Sequence, residues 1–125
     1  MSDGKKKVVL VGHCGPDSYA LRSAVGAAAP GVEVVFANDD QELAKVEGSA
    51  SLLLVNRVLD GDFADTSGMS LIGRLAARGA RVMLVSNFPE AQAEAEKAGA
   101  LPGFGKKTMY AAETKVRIER ALAGG

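Results

Sequence analysis

The chain is poor in the residues from which most thiol and metal chemistry is built, with one cysteine and one histidine among 125 residues. One cysteine cannot close an internal disulfide, which suits a reducing cytoplasm. One cysteine with one histidine makes an incomplete zinc site. Net charge is missing as well: 15 Lys plus Arg balance 15 Asp plus Glu. No whole-protein field remains to gather nucleic acid or an anionic membrane, and the Lys5-Lys6-Lys7 run is a solvated approach to the first strand. The apolar run after Lys7, residues 8–11, is too short for a signal peptide or a membrane span. These absences point to a soluble, cytoplasmic protein with no attached output domain. What is present, 47% apolar residues and 15 glycines, is a globular composition. The length suits one domain, residues 1–125, with a core that needs no staples.

Five apolar strand patterns alternate with helical ones. Residues 8–12 (VVLVG) are β-branched and bounded by charge and Gly-Pro. Residues 16–30 predict a helix with Pro16 in the first turn, Pro30-Gly31 as the stop, and an apolar stripe of Tyr19, Leu21, Ala24, Val25 and Ala28. Residues 32–37 form a second strand, whose Glu33 suits an edge. A short capped helix over 38–48 ends at Gly48. Residues 51–56 (SLLLVN) are the greasiest strand, which places them centrally. After a long loop over 57–68 carrying Asp60, Asp62 and Asp65, a helix over 69–79 ends at Gly79. Residues 81–87 are the fourth strand, and 88–99 an Ala/Glu-rich helix capped by Gly99. Residues 101–106 (LPGFGK) are a weak edge strand, because Pro and two glycines are poor ladder residues. A closing helix over 111–123 offers Val116, Ile118 and Leu122 to the sheet. Strict alternation predicts an α/β fold: parallel strands joined by right-handed crossovers into a doubly wound sheet. Functional groups in such sheets gather at the carboxyl ends of the strands, here Gly12-His13-Cys14, Asn56, Ser86-Asn87 and Lys106.

This set resembles the receiver domains of two-component response regulators over nearly the whole chain. The resemblance implies a flavodoxin-like five-stranded sheet in the order 2-1-3-4-5. In that family strand one ends in two acids, strand three in the phosphoacceptor Asp, strand four in Thr or Ser, and strand five in Lys. Here VVLVGH puts Gly12 and His13 in the place of the acids, LLLVN puts Asn56 at the phosphoacceptor, and VMLVS puts Ser86 at the hydroxyl. AGALPGFGKK supplies Lys106, with Lys107 where the family has Pro, and its aromatic switch position falls on Gly103 beside Phe104.

The departures bear on chemistry. Phosphoryl transfer to Asp needs an ionised carboxylate as nucleophile and anionic oxygen ligands for Mg²⁺. Asn56 is a poor nucleophile without charge, and its plainest role is to cap the strand end and bond the loop. The resemblance with these losses implies a pseudo-receiver: not an enzyme, without a cofactor or metal, acting through a protein partner in a two-component-type pathway. Asp60 and Asp62 lie on the loop, where reach and orientation are poorly fixed. Cys14, before a helix N-terminus and beside His13, offers an alternative as a thiol sensor or a phosphocysteine-type site; the plainer reading is a turn shaped by Gly12, Gly15 and Pro16. Position 20 is Ala, so the Cys-x₅-Arg spacing of small phosphatases is absent, and VGHCGPD is neither a dinucleotide fingerprint nor a Walker loop. Lys106 with His13, Ser86 and the first helix's N-terminus is a candidate anion site. The family's common contact face would present Gln92, Glu96, Phe104, Lys107, Met109 and Tyr110, beside a weak edge that invites docking or a homodimer.

Overall fold

Strands that are apolar on both faces must be covered on both faces, and the chain does this with one sheet between two helical layers. The computed structural model describes residues 6–123, so Lys5 of the basic run lies outside the described residues. Strands β1 (Lys7–Val11), β2 (Glu33–Ala37), β3 (Leu52–Asn56), β4 (Val82–Val85) and β5 (Leu101–Phe104) alternate with helices α1 (Gly15–Ala28), α2 (Asp40–Val46), α3 (Gly68–Ala77), α4 (Pro89–Lys97) and α5 (Ala112–Ala123). All pairings are parallel, as the alternation predicts, and the order is β2-β1-β3-β4-β5, as the resemblance implies.

Successive strand residues point to opposite faces. Val9, Val11, Leu53, Val55 and Leu84 therefore pack with Leu71, Ile72 and Leu75 of α3 and Ala91 and Ala95 of α4. Val8, Leu10, Leu52, Leu54 and Met83 pack with Leu21 and Val25 of α1 and Ile118 and Leu122 of α5. Each buried Val or Leu contributes roughly 1.5–3 kcal/mol. Central β3, with Leu52 to Val55 all at most 1% exposed, lies in the middle of the core. The edges are wetter: β2 runs from an exposed Glu33 through half-buried Val34, Val35 and Phe36 to a buried Ala37, and the pairing of β5 with β4 shifts register between Met83 and Val85.

Two positions of the expected apolar faces lie elsewhere. Tyr19 is 66% exposed and stacks edge-on against Phe36 of β2, with ring centroids 6.0 Å apart. The buried stripe of α1 is Ser18, Leu21, Ala24, Val25 and Ala28; a residue two before Leu21 is turned well round the helix from it. Val116 is likewise exposed, because α5 buries Thr114, Ile118, Ala121 and Leu122. Helix α2 stops at Val46, and Gly48 falls in a following 3₁₀ turn.

Candidate functional site

The carboxyl ends of β1 and β3 are tied together by side-chain amide and backbone. The Asn56 Nδ2 donates to the Gly12 carbonyl at 3.0 Å, and its Oδ1 accepts the Arg57 N–H at 3.0 Å. Both ends of the Asn56 amide are therefore committed to backbone. Ser86, at the end of β4, accepts the Phe88 N–H on its hydroxyl at 3.2 Å. Asn56, Ser86 and Lys106 line one cleft of about 200 Å³, together with Arg57, Asn87 and Phe88. The Arg57 guanidinium lies 5.3 Å from the centroid of the half-exposed Phe88 ring.

Gly12 and His13 do not line this cleft. Gly12 adopts φ +72°, and a Cβ on it would fall 2.7 Å from the Leu59 side chain. Leu59 belongs to the loop over residues 57–67, which crosses above the ends of β1 and β2. The Asp60 N–H donates to the Gly12 carbonyl at 2.8 Å, the Asp62 N–H to the Asn38 carbonyl at 2.9 Å, and the Ala64 N–H to the Asp40 carboxylate at 2.9 Å. Leu59 and Phe63 are buried beneath it. Gly61, at φ +118°, passes so close to the Asn38 carbonyl that no side chain fits. The expectation that Asp60 and Asp62 sit on a loosely fixed loop is therefore corrected: this segment is a strap anchored at both strands. Their side chains stay in solvent, and the Asp65 carboxylate accepts the Ser67 N–H, which holds it below the usual carboxylate range.

His13 is turned into the core. It is 3% exposed, and its Nε2 lies 2.9 Å from the Leu54 carbonyl, which accepts when that nitrogen carries the proton; Nδ1 has no protein partner. Burial lowers the imidazole pKa from 6.5 to about 4; the Leu54 carbonyl and Asp17 oppose the drop and Lys106 adds to it. A neutral, inward-facing imidazole contributes nothing to an anion site at the cleft. Lys106 is also committed, its Nζ 2.6 Å from the Asp17 carboxylate in the first turn of α1. That ion pair, with a hydrogen bond from the Cys14 thiol, holds the Asp17 carboxyl below its usual range. The candidate anion site of Lys106, His13 and Ser86 is thereby not assembled. The Cys14 thiol is turned to the Asp17 carboxylate.

Asp17, Leu59 and Arg57 are the site residues that sequence reasoning missed. An acid in a helix's first turn reads as ordinary dipole compensation, and only the ion pair with a residue 89 positions away gives Asp17 its place. The signal for Leu59 was the apolar pair Val58-Leu59 ahead of the loop's acids.

A receiver-type Mg²⁺ site needs several hard anionic oxygens. Gly12 has no side chain, His13 points away, the Asn56 amide is spent on backbone, and Asp17 is paired with Lys106. Among the described residues no group of three His, Cys, Asp or Glu side chains is gathered that could hold a metal. The donor set does not fit the ion.

The expected contact face also changes. Gln92 points inward, its Nε2 donating to the carbonyls of Leu84, Ser86 and Phe104 at 3.0–3.3 Å. Phe104 and Met109 are buried against α1 and α5. No aromatic ring could replace Gly103, whose backbone lies against the Leu84 carbonyl. Glu96, Lys107 and Tyr110 remain exposed. No helix among the described residues is long and apolar enough to cross a membrane.

No family model and no curated protein matches this chain. Solved structures do. A response regulator from Thermotoga maritima is 17% identical, with TM-score 0.75 over 96% of this chain and 99% of that one. The signal receiver domain of a DNA-binding response regulator from Colwellia psychrerythraea 34H is 10% identical, with TM-score 0.73 over 95% and 99%. A response regulator from Burkholderia pseudomallei, solved with a phosphorylated aspartic acid, a calcium ion and citrate, is 22% identical, with TM-score 0.60 over 98% and 76%. At such identities the likeness is one of architecture: this chain has the fold of response-regulator receiver domains.

Proposed function

We propose that the protein is a cytoplasmic pseudo-receiver, a signalling module of a two-component-type pathway that works by binding a protein partner without being phosphorylated. The observation that carries this reading is the strap: Leu59 and the Asp60 amide occupy the end of β1 where the related fold holds its acids, while Asn56 stands at the acceptor position. The phosphorylated aspartate and calcium belong to the Burkholderia protein; the groups that would support either are replaced or committed here. The partner docks on the face of α4, β5 and α5 that leaves Glu96, Lys107 and Tyr110 exposed. A second copy of the chain is one such partner, which sedimentation would register as a dimer.

Incubation with a small phosphodonor and Mg²⁺, followed by intact mass, tests the reading. The expected result is an unchanged mass for the wild-type protein; a phosphoryl adduct mapped to the residues around Asn56 overturns it. Capture of a partner from cell extract by the wild type, abolished by Tyr110→Ala and retained with Cys14→Ser, identifies the face and argues against a thiol-centred function.

A further inference from the structure

A groove of about 590 Å³ opens where the strap meets the beginnings of α3 and α4. Val58, Met69 and Phe88 supply its apolar wall. Val58 and Phe88 are each 55% exposed, so the wall is open to a partner. Apolar side chains gathered in a concavity with a polar rim are the mark of a docking surface.

The rim is acidic although the protein as a whole is neutral. Three carboxylates, Asp65, Glu90 and Glu94, stand against one guanidinium, that of Arg57. Asp65 is already bonded to the Ser67 N–H, and Arg57 lies over the Phe88 ring. The side chains of Glu90 and Glu94 have no ion pair or hydrogen bond among the described residues. They stand one turn apart on α4, where like charges repel. The helix dipole accounts for an acid in the first turn, such as Glu90. It does not account for Glu94 in the second turn. A cation placed between the two would remove their repulsion.

We propose that this groove docks a basic segment of a partner protein. An apolar side chain of that segment lies against Val58, Met69 and Phe88, and its Lys or Arg side chains reach Glu90 and Glu94. Charge complementarity of this kind sets which partner is accepted and how fast it arrives. Helical spacing puts both glutamates on the flank of α4 opposite Glu96, so the groove is separate from the face of Glu96, Lys107 and Tyr110. Its chemistry does not depend on whether the protein is phosphorylated.

Amide chemical-shift titrations of the full chain test it with three peptides. One is acetyl-Lys-Leu-Lys-Lys-Leu-amide, one has glutamate in place of each lysine, and one has serine in place of each leucine. Saturable shifts at Val58, Met69, Phe88 and Glu94 are expected with the first peptide and not with the other two. Glu90→Lys combined with Glu94→Lys changes two exposed positions and turns two attractions into repulsions. It should weaken binding of the first peptide about tenfold or more, with amide shifts away from α4 unchanged. Glu90→Gln with Glu94→Gln should weaken it less. Absence of saturable shifts with the first peptide overturns the proposal, as do shifts centred on another face. Equal affinity for either control peptide, or binding that survives the double exchange to lysine, overturns it as well.

Discussion

Burial of the single histidine gives stability a defined pH dependence. The folded-state pKa of His13, about 4, lies below the value of 6.5 that the exposed side chain has, so the unfolded chain takes up the proton first. Stability is then full above about pH 6.5 and falls as pH drops toward 4, by roughly 3 kcal/mol across the window. Asp17, whose carboxyl is held low by Lys106, loses its contribution only below about pH 4. Urea unfolding at a series of pH values should show the slope between 4 and 6.5 in the wild type and its disappearance in His13→Leu; an equal slope in both proteins would count against this account. Asn56 carries a second prediction. Asn56→Asp removes the donor to Gly12 and sets two acceptors against each other, at a cost of roughly 1–3 kcal/mol. It should not permit phosphorylation, because no group of metal ligands is gathered among the described residues; intact mass after phosphodonor treatment decides. The sequence placed Gly12, His13 and Asn56 at the strand ends. It could not say that His13 faces inward, since a histidine after a glycine has two sides to choose from and the choice was made by Leu54, on another strand.

At the scale of elements, the strap over residues 57–67 is the main difference between expectation and structure. Its ends and length were legible, but its rigidity was not, because the anchors are backbone carbonyls of Gly12 and Asn38 contributed from two other strand ends. Leu59→Ala should destabilise by about 2–4 kcal/mol, the usual cost of a truncated buried leucine. Gly12→Asp, which places an acid at the end of β1, meets Leu59 with a backbone at φ +72° and should cost at least 1–3 kcal/mol, on the order of a strained left-handed residue. Chemical denaturation measures both, and neutral outcomes would show a strap that is not packed as described. The helices were easier to read. Ser67 and Asp39 cap α3 and α2 with their side chains, so local chemistry alone fixes where they begin. The solvent-facing positions Tyr19 and Val116 were misread because an apolar residue near a stripe need not belong to it.

Across the whole molecule, cohesion is graded from the middle of the sheet to its edges. Strands β1, β3 and β4 are almost completely buried, whereas β2 is half-wet and β5 is short with a shifted register. Native-state hydrogen exchange should therefore find the slowest amides in β3 and its neighbours and faster exchange in β2 and β5; uniform protection would contradict the grading. The weak edge of β5 was apparent from Pro102 and Gly103. The inward turn of Gln92, which clamps α4 to β4 and β5 through three carbonyls, was not, since a glutamine on a helix reads as surface.

The sequence by itself determined the alternation of strands and helices and the central place of residues 51–56. These follow from hydrophobic periodicity and residue chemistry, which are local properties. Only the tertiary structure decided that Lys106 meets Asp17, that His13 is buried and uncharged, and that Leu59 fills the space above Gly12. Each depends on groups far apart in the chain, and such meetings arise only when packing has brought separate strand ends together.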